Sequence, residues 1–374
     1  MSQLVVEVCQ IDEVKPHPNA DRLDIAVIKG WQCVVRKDQH KPGDKVVYFP
    51  PDTMIPQHWA NQFGVWQYLQ YKEKDPQFLL ERFDNGVSSP ELYGRIRCAK
   101  LRGEPSFGLV VDPALPGWEV GDDVHWFYLA KKYEPPVKLG AGDAETDHPL
   151  FVQYTDIENL RNFPEVLLEG EEVVVTEKIH GSNCRIGIVF DAATHQMVVM
   201  AGSHRLRRKE PLAHHHSLYW LPRQHPALAS LFATQKAWFD SGNIMYPVVK
   251  QLIIFAEVYG NGVQRLQYDA HDKPAFRVFD VLLDGRYFDW DTLCHFCQNN
   301  DLPIVPVLYV GPYHLDIIKK LSQGKSMLAN HIKEGVVIKP LKERHDPKVG
   351  RVILKYIGDQ YLLGLKDDDD STDI

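Results

Sequence analysis

Hydrophobic and polar positions alternate over short stretches in the first third of the chain. These stretches are separated by turn residues, as in short β-strands, and they read LVVEVCQIDEV, LDIAVIKGWQCVVRK, DKVVYFP, GRIRCAKLRG and FGLVVD. KPGDKVVYF (41–49) and EVGDDVHWF (119–127) repeat one design, in which a Gly-Asp turn leads into an alternating strand that ends on an aromatic residue. The pattern predicts a small β-barrel from Gln3 to about Phe127.

From Phe151 onwards, longer apolar strands alternate with helical segments. The strand candidates are EEVVVTEKI, NCRIGIVF, QMVVMAGS, QLIIFAEVYG, FRVFDVLLDG, GVVIKP and RVILKYIG. ALASLFATQKAWFD and DTLCHFCQNN have the composition and spacing of helices. This alternation predicts a second domain of mixed α and β structure.

Proline, glycine and charge mark the boundaries between these parts. KKYEPPVKLGAGDAETDHP has no periodicity, so we predict a linker at 131–149 between a domain at 1–130 and a domain at 150–365. The last residues, 366–374, form an acidic tail that we expect to be disordered. A segment with prolines and tryptophans at 56–84 is either a lid or a helical excursion.

The composition is that of a folded protein, with 44% hydrophobic and 25% charged residues. The net charge of −8 argues against bulk attraction to nucleic acid, so any such surface must be local. The six cysteines are scattered, and MSQLVVEV lacks the features of a secretory signal. We therefore expect reduced thiols and a cytoplasmic protein, with no membrane span because no apolar stretch approaches about 20 residues.

The N-terminal part carries two features that suggest nucleic-acid binding. KPHPNADRLDIAVI (15–28) resembles the entry to OB-type tRNA-binding modules, which predicts an OB-fold. GRIRCAKLRGEPSFG brings together basic side chains and an aromatic ring, as in surfaces that bind phosphates and stacked bases. These residues are Arg95, Arg97, Lys100, Arg102 and Phe107. A solvated strand face is the alternative interpretation.

Lys178, in TEKIHGSN, follows a run of valines and should emerge at a strand end, where partial burial lowers a lysine pKa and favours a nucleophilic amine. Later apolar strands carry further polar or aromatic groups, namely Glu257, Phe279, Asp280, Glu334, Lys339 and Lys355. Charges on such strands are costly unless paired, so we expect them to converge. Lysines, carboxylates and an aromatic ring describe a nucleotide polyphosphate site with Mg²⁺ or Mn²⁺. The sequence lacks GxxxxGK[ST], which excludes a P-loop.

The stretch from Lys178 to Asn183, KIHGSN, resembles the KxxGxN motif of the covalent nucleotidyltransferases, which comprise RNA ligases, DNA ligases and mRNA capping enzymes. Its HG form is similar to nick-sealing RNA ligases. Further family motifs follow in order over about Phe151–Leu363, as SHR, FAEVYG, FRVFD, EGVVIK and ILKY. The resemblance implies an α+β protein in which an OB-like barrel precedes an ATP-grasp-like ligase domain of antiparallel sheets with flanking helices.

The resemblance also implies residue roles. Lys178 attacks the α-phosphorus of ATP, becomes lysyl-AMP and passes AMP to an RNA 5′-phosphate, after which a 3′-OH displaces AMP. The implied nucleotide-binding residues are Glu177, Lys178, Asn183, Arg205, Glu257, Phe279, Lys339 and Lys355, with Glu334 and Asp280 at the metal. Among them, Glu257 binds the ribose, Phe279 stacks on adenine, and Lys339 and Lys355 hold the α-phosphate.

Ile357 departs from the family pattern, because it occupies the second position of the fifth motif, which is commonly KxK. Either Lys355 suffices alone, as we predict, or Arg351 or Lys348 supplies the missing charge. The motifs end close to the end of the sequence, with the OB-like module at the start. This order resembles a branch of RNA ligases that seals nicks in duplexes whose 3′-OH strand is RNA, so we expect a monomeric RNA-repair enzyme.

Several alternatives stay open. His214, His215 and His216 are interpreted as a surface loop, and the CxxC spacing of Cys294 and Cys297 as part of a helix, rather than as metal sites. His180 either acts chemically near Lys178, or it shapes the turn or contacts metal-bound water. At the level of function, the rivals are a non-catalytic RNA- or tRNA-binding protein and an adenylyltransferase that does not join strands.

Overall fold

The computed structural model describes residues 6–84, 87–134, 143–212, 217–241 and 249–364, with the backbone alone for 80–89. The chain divides into two compact units, the first made of 1–135, 161–164 and 362–366 and the second of 136–160, 165–361 and 367–374. The acidic tail, the centre of the proposed linker and His214, His215 and His216 lie outside the described residues. The domain boundaries therefore stay a prediction.

The first unit is built mainly from short strands. They are β1 (Glu7–Gln10), β2 (Glu13–Pro16), β3 (Leu23–Ile28), β4 (Trp31–Arg36), β5 (Lys45–Phe49), β6 (Thr53–Pro56), β7 (Leu79–Asp84), β8 (Val87–Arg95), β9 (Cys98–Leu101), β10 (Glu104–Phe107), β11 (Leu109–Val111) and β12 (Lys131–Lys132). They form sheets of order β1-β5-β11, β2-β3-β4, β10-β9 and β12-β6-β8-β7. The strands predicted from alternation up to FGLVVD are confirmed.

Two parts of the first unit differ from the sequence pattern or extend it. The segment at 56–84 contains α1 (Gln57–Gln62), two 3₁₀ turns and β7. The predicted strand in EVGDDVHWF is wrong, because the chain forms turns after one isolated bridge from Asp123 to Glu7. Phe127 of this segment lies edge-on to Trp118 at 5.0 Å, whereas Trp126 is 61% exposed. Tyr128, which follows the segment, lies edge-on to Phe49 at 5.0 Å.

The second unit contains two larger sheets. Its strands are β13 (Ala144–Glu145), β14 (Glu158–Asn159), β15 (Glu172–Lys178), β16 (Ser182–Asp191), β17 (Gln196–Ser203), β18 (Arg207–Arg208), β19 (Gln251–Tyr259), β20 (Ala275–Leu283), β21 (Arg286–Tyr287), β22 (Val307–Pro312), β23 (Gly335–Pro340), β24 (His345–Asp346), β25 (Gly350–Arg351) and β26 (Leu354–Ile357). The orders are β13-β18-β17-β16-β19-β20-β21 and β14-β26-β23-β15-β22. Except for the short pair β14 and β26, neighbours are antiparallel.

This part of the chain also contains helices. The helices are α2 (Pro226–Asp240), α3 (Trp290–Asn299), α4 (Leu315–Leu321) and α5 (Asp359–Gly364). Leu228 and Phe232 of α2 and Leu293 of α3 join one core with the buried strand residues Ile186 and Ile254. Every strand and helix predicted for this part is present. The edge strand β22 was missed because its exposed, glycine- and proline-containing sequence lacks a clear alternation.

The CxxC pair lies within α3, as predicted. Cys297 packs into the core, where burial raises the pKa of its thiol to about 12. Over the part of the chain that the structure describes, no three His, Cys, Asp or Glu residues are grouped to hold a metal ion. No helix there is long and apolar enough to cross a membrane.

Candidate active site

Lys178 ends β15 and forms an ion pair that is largely shielded from water. Its Nζ lies 2.7 Å from Oε1 of Glu334, and the two side chains are 18% and 5% exposed. Burial alone would raise the pKa of Glu334, but the Lys178 ammonium lowers this pKa below its ordinary value. The carboxylate is therefore ionised beside the lysine.

Three lysines share one face of the five-stranded sheet. In antiparallel pairs, directly opposite residues lie on the same face, as do residues two apart along one strand. Lys178 is opposite Gly335, and Lys355 is opposite Val337. Gly335 and Val337 are on one face of β23, and Lys339, two residues after Val337, is on the same face. Because Lys339 and Lys355 are 5% and 8% exposed, all three amines are held close to the protein interior.

Ile357, the departure from the two-lysine pattern, lies in the same row as the nucleophile candidate. It is opposite Gly335, which in turn is opposite Lys178. Gly335 leaves no room for a side chain here, because a Cβ atom would clash with the backbone of Tyr356 and Ile357. Ile357 is 5% exposed, so the position that commonly carries the second lysine contributes an apolar surface instead.

The seven-stranded sheet contributes the second group of polar residues. Asn183 on β16 is directly opposite Glu257 on β19. Gly181, two residues before Asn183, packs closely against β19. A Cβ atom at this position would clash with the carbonyl oxygen of Val258 and lie 3.0 Å from Oε1 of Glu257. The glycine of the KIHGSN stretch is thus required for the chain to pass Glu257.

A β-bulge on the pairing of β19 with β20 sets the positions of Phe279 and Asp280. Phe255 is opposite Asp280 and Ala256 is opposite Val278, so Phe279 is the extra residue. Bulges redirect side chains in this way. Phe279 is half-buried, with the ring of Tyr154 edge-on to it at 5.0 Å.

Asp280 is fully buried in a network of charges. Its Oδ1 lies 3.4 Å from Nζ of Lys339, and its Oδ2 lies 2.5 Å from Arg351 and accepts a 2.8 Å hydrogen bond from Tyr154. Arg351 also binds both oxygens of Glu343 at 2.6 Å. Burial would raise the pKa of Asp280, but Lys339 and Arg351 lower it below its ordinary value.

His180 lies in the turn after Lys178, buried between two tyrosines. Its backbone N–H donates to the Tyr268 hydroxyl at 2.6 Å, and its Nδ1 lies 3.1 Å from the Tyr361 hydroxyl. The same nitrogen lies 3.7 Å from Oε2 of Glu334. These contacts hold the turn that links Lys178 to the glycine at Gly181.

The five-stranded sheet of the second unit carries the Lys178–Glu334 pair and two further lysines. The seven-stranded sheet carries Asn183 opposite Glu257, and the half-buried ring of Phe279. A family model described as RNA ligase matches residues 171–357, which is half of the chain. The chain belongs to the RNA ligase family. It is therefore an enzyme that joins RNA ends.

Further comparisons agree on the fold of this RNA ligase. An OB-fold domain model matches residues 5–113. The Naegleria gruberi RNA ligase with pyrophosphate has a TM-score of 0.68 and 22% identity, over 96% of this chain and 98% of that one. A lysine-to-alanine variant of the same enzyme with ATP and Mn gives 0.69 and 22%, with the same coverage. Among curated proteins, none matches this chain. The predicted α+β class, with an OB-fold domain before a ligase domain, is confirmed.

Two predicted nucleotide-binding residues of the ligase lie apart from the lysine face. Glu177 pairs with Val336, one position from Lys178, so its side chain is on the opposite face, where its Oε2 accepts a 2.7 Å hydrogen bond from the backbone of Met327. Arg205 is half-buried in the turn between β17 and β18, and its carbonyl oxygen accepts from Gln153.

The predicted basic surface of the first unit is smaller than the sequence suggested. Arg95 is 7% exposed and binds Asp52 at 2.6 Å, so it is part of the interior. The expected stacking role of Phe107 is wrong, because its ring is 2% exposed and packs against Trp31. Lys100 on β9 and Arg102 in the following turn are exposed, whereas Arg97 is half-buried.

The two proposed substitutes for the missing second lysine are engaged with carboxylates. Arg351 belongs to the Asp280 and Glu343 network, and Nζ of Lys348 lies 2.5 Å from Glu165. The arrangement is consistent with Lys355 alone, which stays a prediction.

Sequence reasoning did not identify Tyr154, Tyr268 and Tyr361, whose hydroxyls contact site residues. These tyrosines lie far along the chain from their partners, so spacing gives no signal for the contacts. The one general clue was that a buried tyrosine hydroxyl normally has a hydrogen-bond partner.

Proposed function

We propose that this RNA ligase uses ATP to seal nicks with a 3′-OH and a 5′-phosphate, and that Lys178 carries AMP between the steps. The observation that carries the proposal is the buried pair of Lys178 and Glu334, with Lys339 and Lys355 on the same sheet face. Structures of the Naegleria gruberi ligase hold pyrophosphate, ATP with Mn, or AMP with Mn. These ligands are the substrate and products expected of an AMP-transfer reaction.

In the first proposed step, Nζ of Lys178 attacks the α-phosphorus of ATP. The ammonium must first lose a proton, and because the side chain is 18% exposed, water can accept it. The new N–P bond forms as the bond to the β-phosphate oxygen breaks, and pyrophosphate leaves. Catalysis of this kind depends on positioning and on dispersing negative charge.

The two later steps transfer the activated phosphate. An oxygen of the RNA 5′-phosphate attacks the phosphorus of lysyl-AMP, the N–P bond breaks, and the Lys178 amine is regenerated. The RNA 3′-OH then attacks the activated 5′-phosphorus and loses its proton, and AMP leaves as the phosphodiester bond forms. We propose a nicked duplex with an RNA 3′-OH strand as the substrate, in RNA repair.

The remaining site residues are assigned to the nucleotide. Lys339 and Lys355 are assigned to the α-phosphate because their ammonium charges share the face of Lys178. Glu257 is assigned to the ribose hydroxyls and Phe279 to the adenine ring. The assignments of Glu177, Asn183 and Arg205 to the nucleotide rest on the motif resemblance.

A divalent cation fits the free oxygens of this site. Asn183 Oδ1 and Glu334 Oε2 are buried and lack a hydrogen-bond partner within the described ranges. Hard cations such as Mg²⁺ and Mn²⁺ take oxygen ligands, and we propose Glu334 as a residue that holds one. When bound, the ion would neutralise phosphate charge. Asp280, whose oxygens both pair with cations, fits a positioning role toward Lys339 better than the predicted metal role.

In the first unit, we propose that Lys100 and Arg102 contact the RNA backbone. Replacing both by glutamine should weaken RNA binding at low salt and reduce the slope of log K against log salt by about one to two, because each phosphate contact releases condensed counterions. Fluorescence anisotropy with a nicked duplex at several salt concentrations measures this.

Arg95→Gln is the control for the Lys100 and Arg102 double variant, because it removes a buried basic side chain instead of exposed ones. Since Arg95 is buried against Asp52, its replacement should lower the melting temperature of the protein. An unchanged salt slope in the Lys100 and Arg102 double variant would assign RNA binding to another surface.

The proposed reaction is tested with ATP labelled at the α-phosphate, a divalent metal and the purified protein. We expect an acid-stable labelled protein that releases its AMP on addition of a nicked duplex, together with a joined strand. A non-catalytic RNA-binding protein gives no labelled band. Labelling without a joined product on either an RNA or a DNA 3′-OH strand leaves an adenylyltransferase and contradicts the ligase reaction proposed here.

We further propose that the enzyme works as a monomer in the cytoplasm. All six cysteines are free thiols, which supports a reducing compartment. Light scattering of the purified protein tests the monomer.

A further inference from the structure

Tyr361 is a site residue that lies outside every motif discussed so far. It is on α5, beyond the last residue matched by the family model, and it is 7% exposed. Its hydroxyl lies 3.1 Å from Nδ1 of His180. His180 is itself 3% exposed, two residues after Lys178.

The other ring nitrogen of His180 is buried and has no hydrogen-bond partner among the described residues. A neutral imidazole carries one N–H, and the tautomer is decided by the hydrogen bond that the other nitrogen makes. If the Tyr361 O–H donates to Nδ1, the hydrogen must be on Nε2. Nε2 is then a buried donor without an acceptor, which is a costly arrangement unless a ligand supplies one.

Glu334 is the competing partner for Nδ1. Its Oε2 lies 3.7 Å away, beyond hydrogen-bond distance, whereas the Tyr361 oxygen is within it. Glu334 also has Lys178 as a closer ionic partner at 2.7 Å. The geometry at Nδ1 therefore favours the tyrosine.

We propose that Tyr361 is a positioning residue, which holds His180 as the Nε2–H tautomer so that this nitrogen donates a hydrogen bond to a phosphate oxygen during AMP transfer. The inference rests on the proposed function of Lys178 as the AMP carrier. The acceptor class follows from chemistry, because a phosphate oxygen of the nucleotide is the anionic acceptor that the reaction brings next to Lys178. No proton is transferred in this role, since the hydrogen bond orients and stabilises charge.

Nitrogen-15 spectra of histidine-labelled protein test the tautomer without any need for activity. The His180 signals are those lost in His180→Gln, and two-bond correlations distinguish a protonated from an unprotonated ring nitrogen. We expect Nε2 to carry the hydrogen in the unmodified protein and the pattern to change in Tyr361→Phe. A hydrogen on Nδ1, a doubly protonated ring, or an unchanged pattern in Tyr361→Phe overturns the proposal.

Kinetics test whether Tyr361 acts through His180. Tyr361→Phe removes one hydroxyl, and we expect the rate of lysyl-AMP formation at saturating ATP to fall by about tenfold, with a smaller change in the KM for ATP. Tyr309→Phe is the matched control. It also removes one hydrogen-bonding hydroxyl, to the Pro312 carbonyl on β22, and we expect no change in rate.

A double-mutant cycle separates this role from a merely structural one. In His180→Gln, the side-chain amide supplies a donor that does not depend on a tautomer, so adding Tyr361→Phe should cost much less than tenfold. Equal costs in both backgrounds would show that Tyr361 does not act through His180. If the unmodified protein forms no lysyl-AMP, the proposed function fails, while the spectra still decide the tautomer.

Discussion

The Lys178→Ala variant should form no acid-stable AMP adduct, a loss of more than about a thousandfold, because the amine that forms the bond to phosphorus is removed. Sealing of a nicked duplex with ATP should be lost with it. Sealing of a duplex that already carries an adenylylated 5′-phosphate should persist, because that step needs no lysyl-AMP. The measurement is transfer of label from the α-phosphate of ATP to protein and to RNA.

A second variant separates nucleophilicity from charge. Lys178→Arg keeps a cation beside Glu334, so the ion pair that lowers the pKa of Glu334 is retained. Arginine does not deprotonate in proteins and is a poor nucleophile. We therefore expect a folded protein with near-normal stability and no adduct.

A distant exposed lysine serves as the control. Lys342 pairs with Asp289 at 3.0 Å on the protein surface, and its replacement by alanine should leave the labelling unchanged. Label that persists in both Lys178 variants but is lost when another lysine is replaced would assign the nucleophile elsewhere.

Much of the fold could be predicted because the patterns that specify it are local. The valine-rich run before Lys178 and the apolar runs around Glu257 and Phe279 form central strands, as alternation and length predicted. The segment after Asp123 shows the limit of this approach. Its alternation satisfies a strand pattern, yet the chain forms turns there, and Tyr128 packs against Phe49.

The site was predictable as a set of residues but not as a set of contacts. The strand ends that carry Lys178 and Glu334 could be expected to meet, since both interrupt apolar runs. The partners of Asp280 could not, because Arg351 and Tyr154 reach it from distant parts of the sequence and a bulge determines its position. The sequence suggested that Asp280 is a metal ligand, whereas in the fold its oxygens pair with Lys339 and Arg351.

The largest stability effect is expected for Arg351. Replacing it by methionine keeps most of the side-chain volume but removes the charge. Among the described residues, Lys339 then remains as the cation that pairs with both Asp280 and Glu343. Breaking a buried ion network in this way costs about 3–5 kcal/mol. Thermal and urea denaturation of the variant should show this loss, provided that the transition of the second unit is resolved.

Arg344→Met is the matched control for that variant. Arg344 also binds a carboxylate through two hydrogen bonds, to Glu171 at 2.5 and 2.7 Å, but its side chain is 31% exposed. Because water screens such a pair, we expect a loss of about 1 kcal/mol or less. Equal losses in the two variants would contradict a special role for the buried network.

The pH dependence gives an independent check on the Arg351 network, because the ionised form of Asp280 is the one that is stabilised. Burial raises the pKa of Asp280, but Lys339 and Arg351 lower it further, to below its ordinary value of 3.8. The stabilisation is therefore fully present above pH 3.8 and is lost as the pH falls through the lowered pKa. The pKa of Asp280 is higher in Arg351→Met, because Arg351 no longer lowers it. The difference in unfolding free energy between the unmodified protein and Arg351→Met should therefore be constant at neutral pH and shrink as the pH falls through the pKa of Asp280 in the variant. A difference that is the same at all pH values would mean that Arg351 acts through packing on Tyr287, whose ring centre is 3.6 Å away, rather than through Asp280.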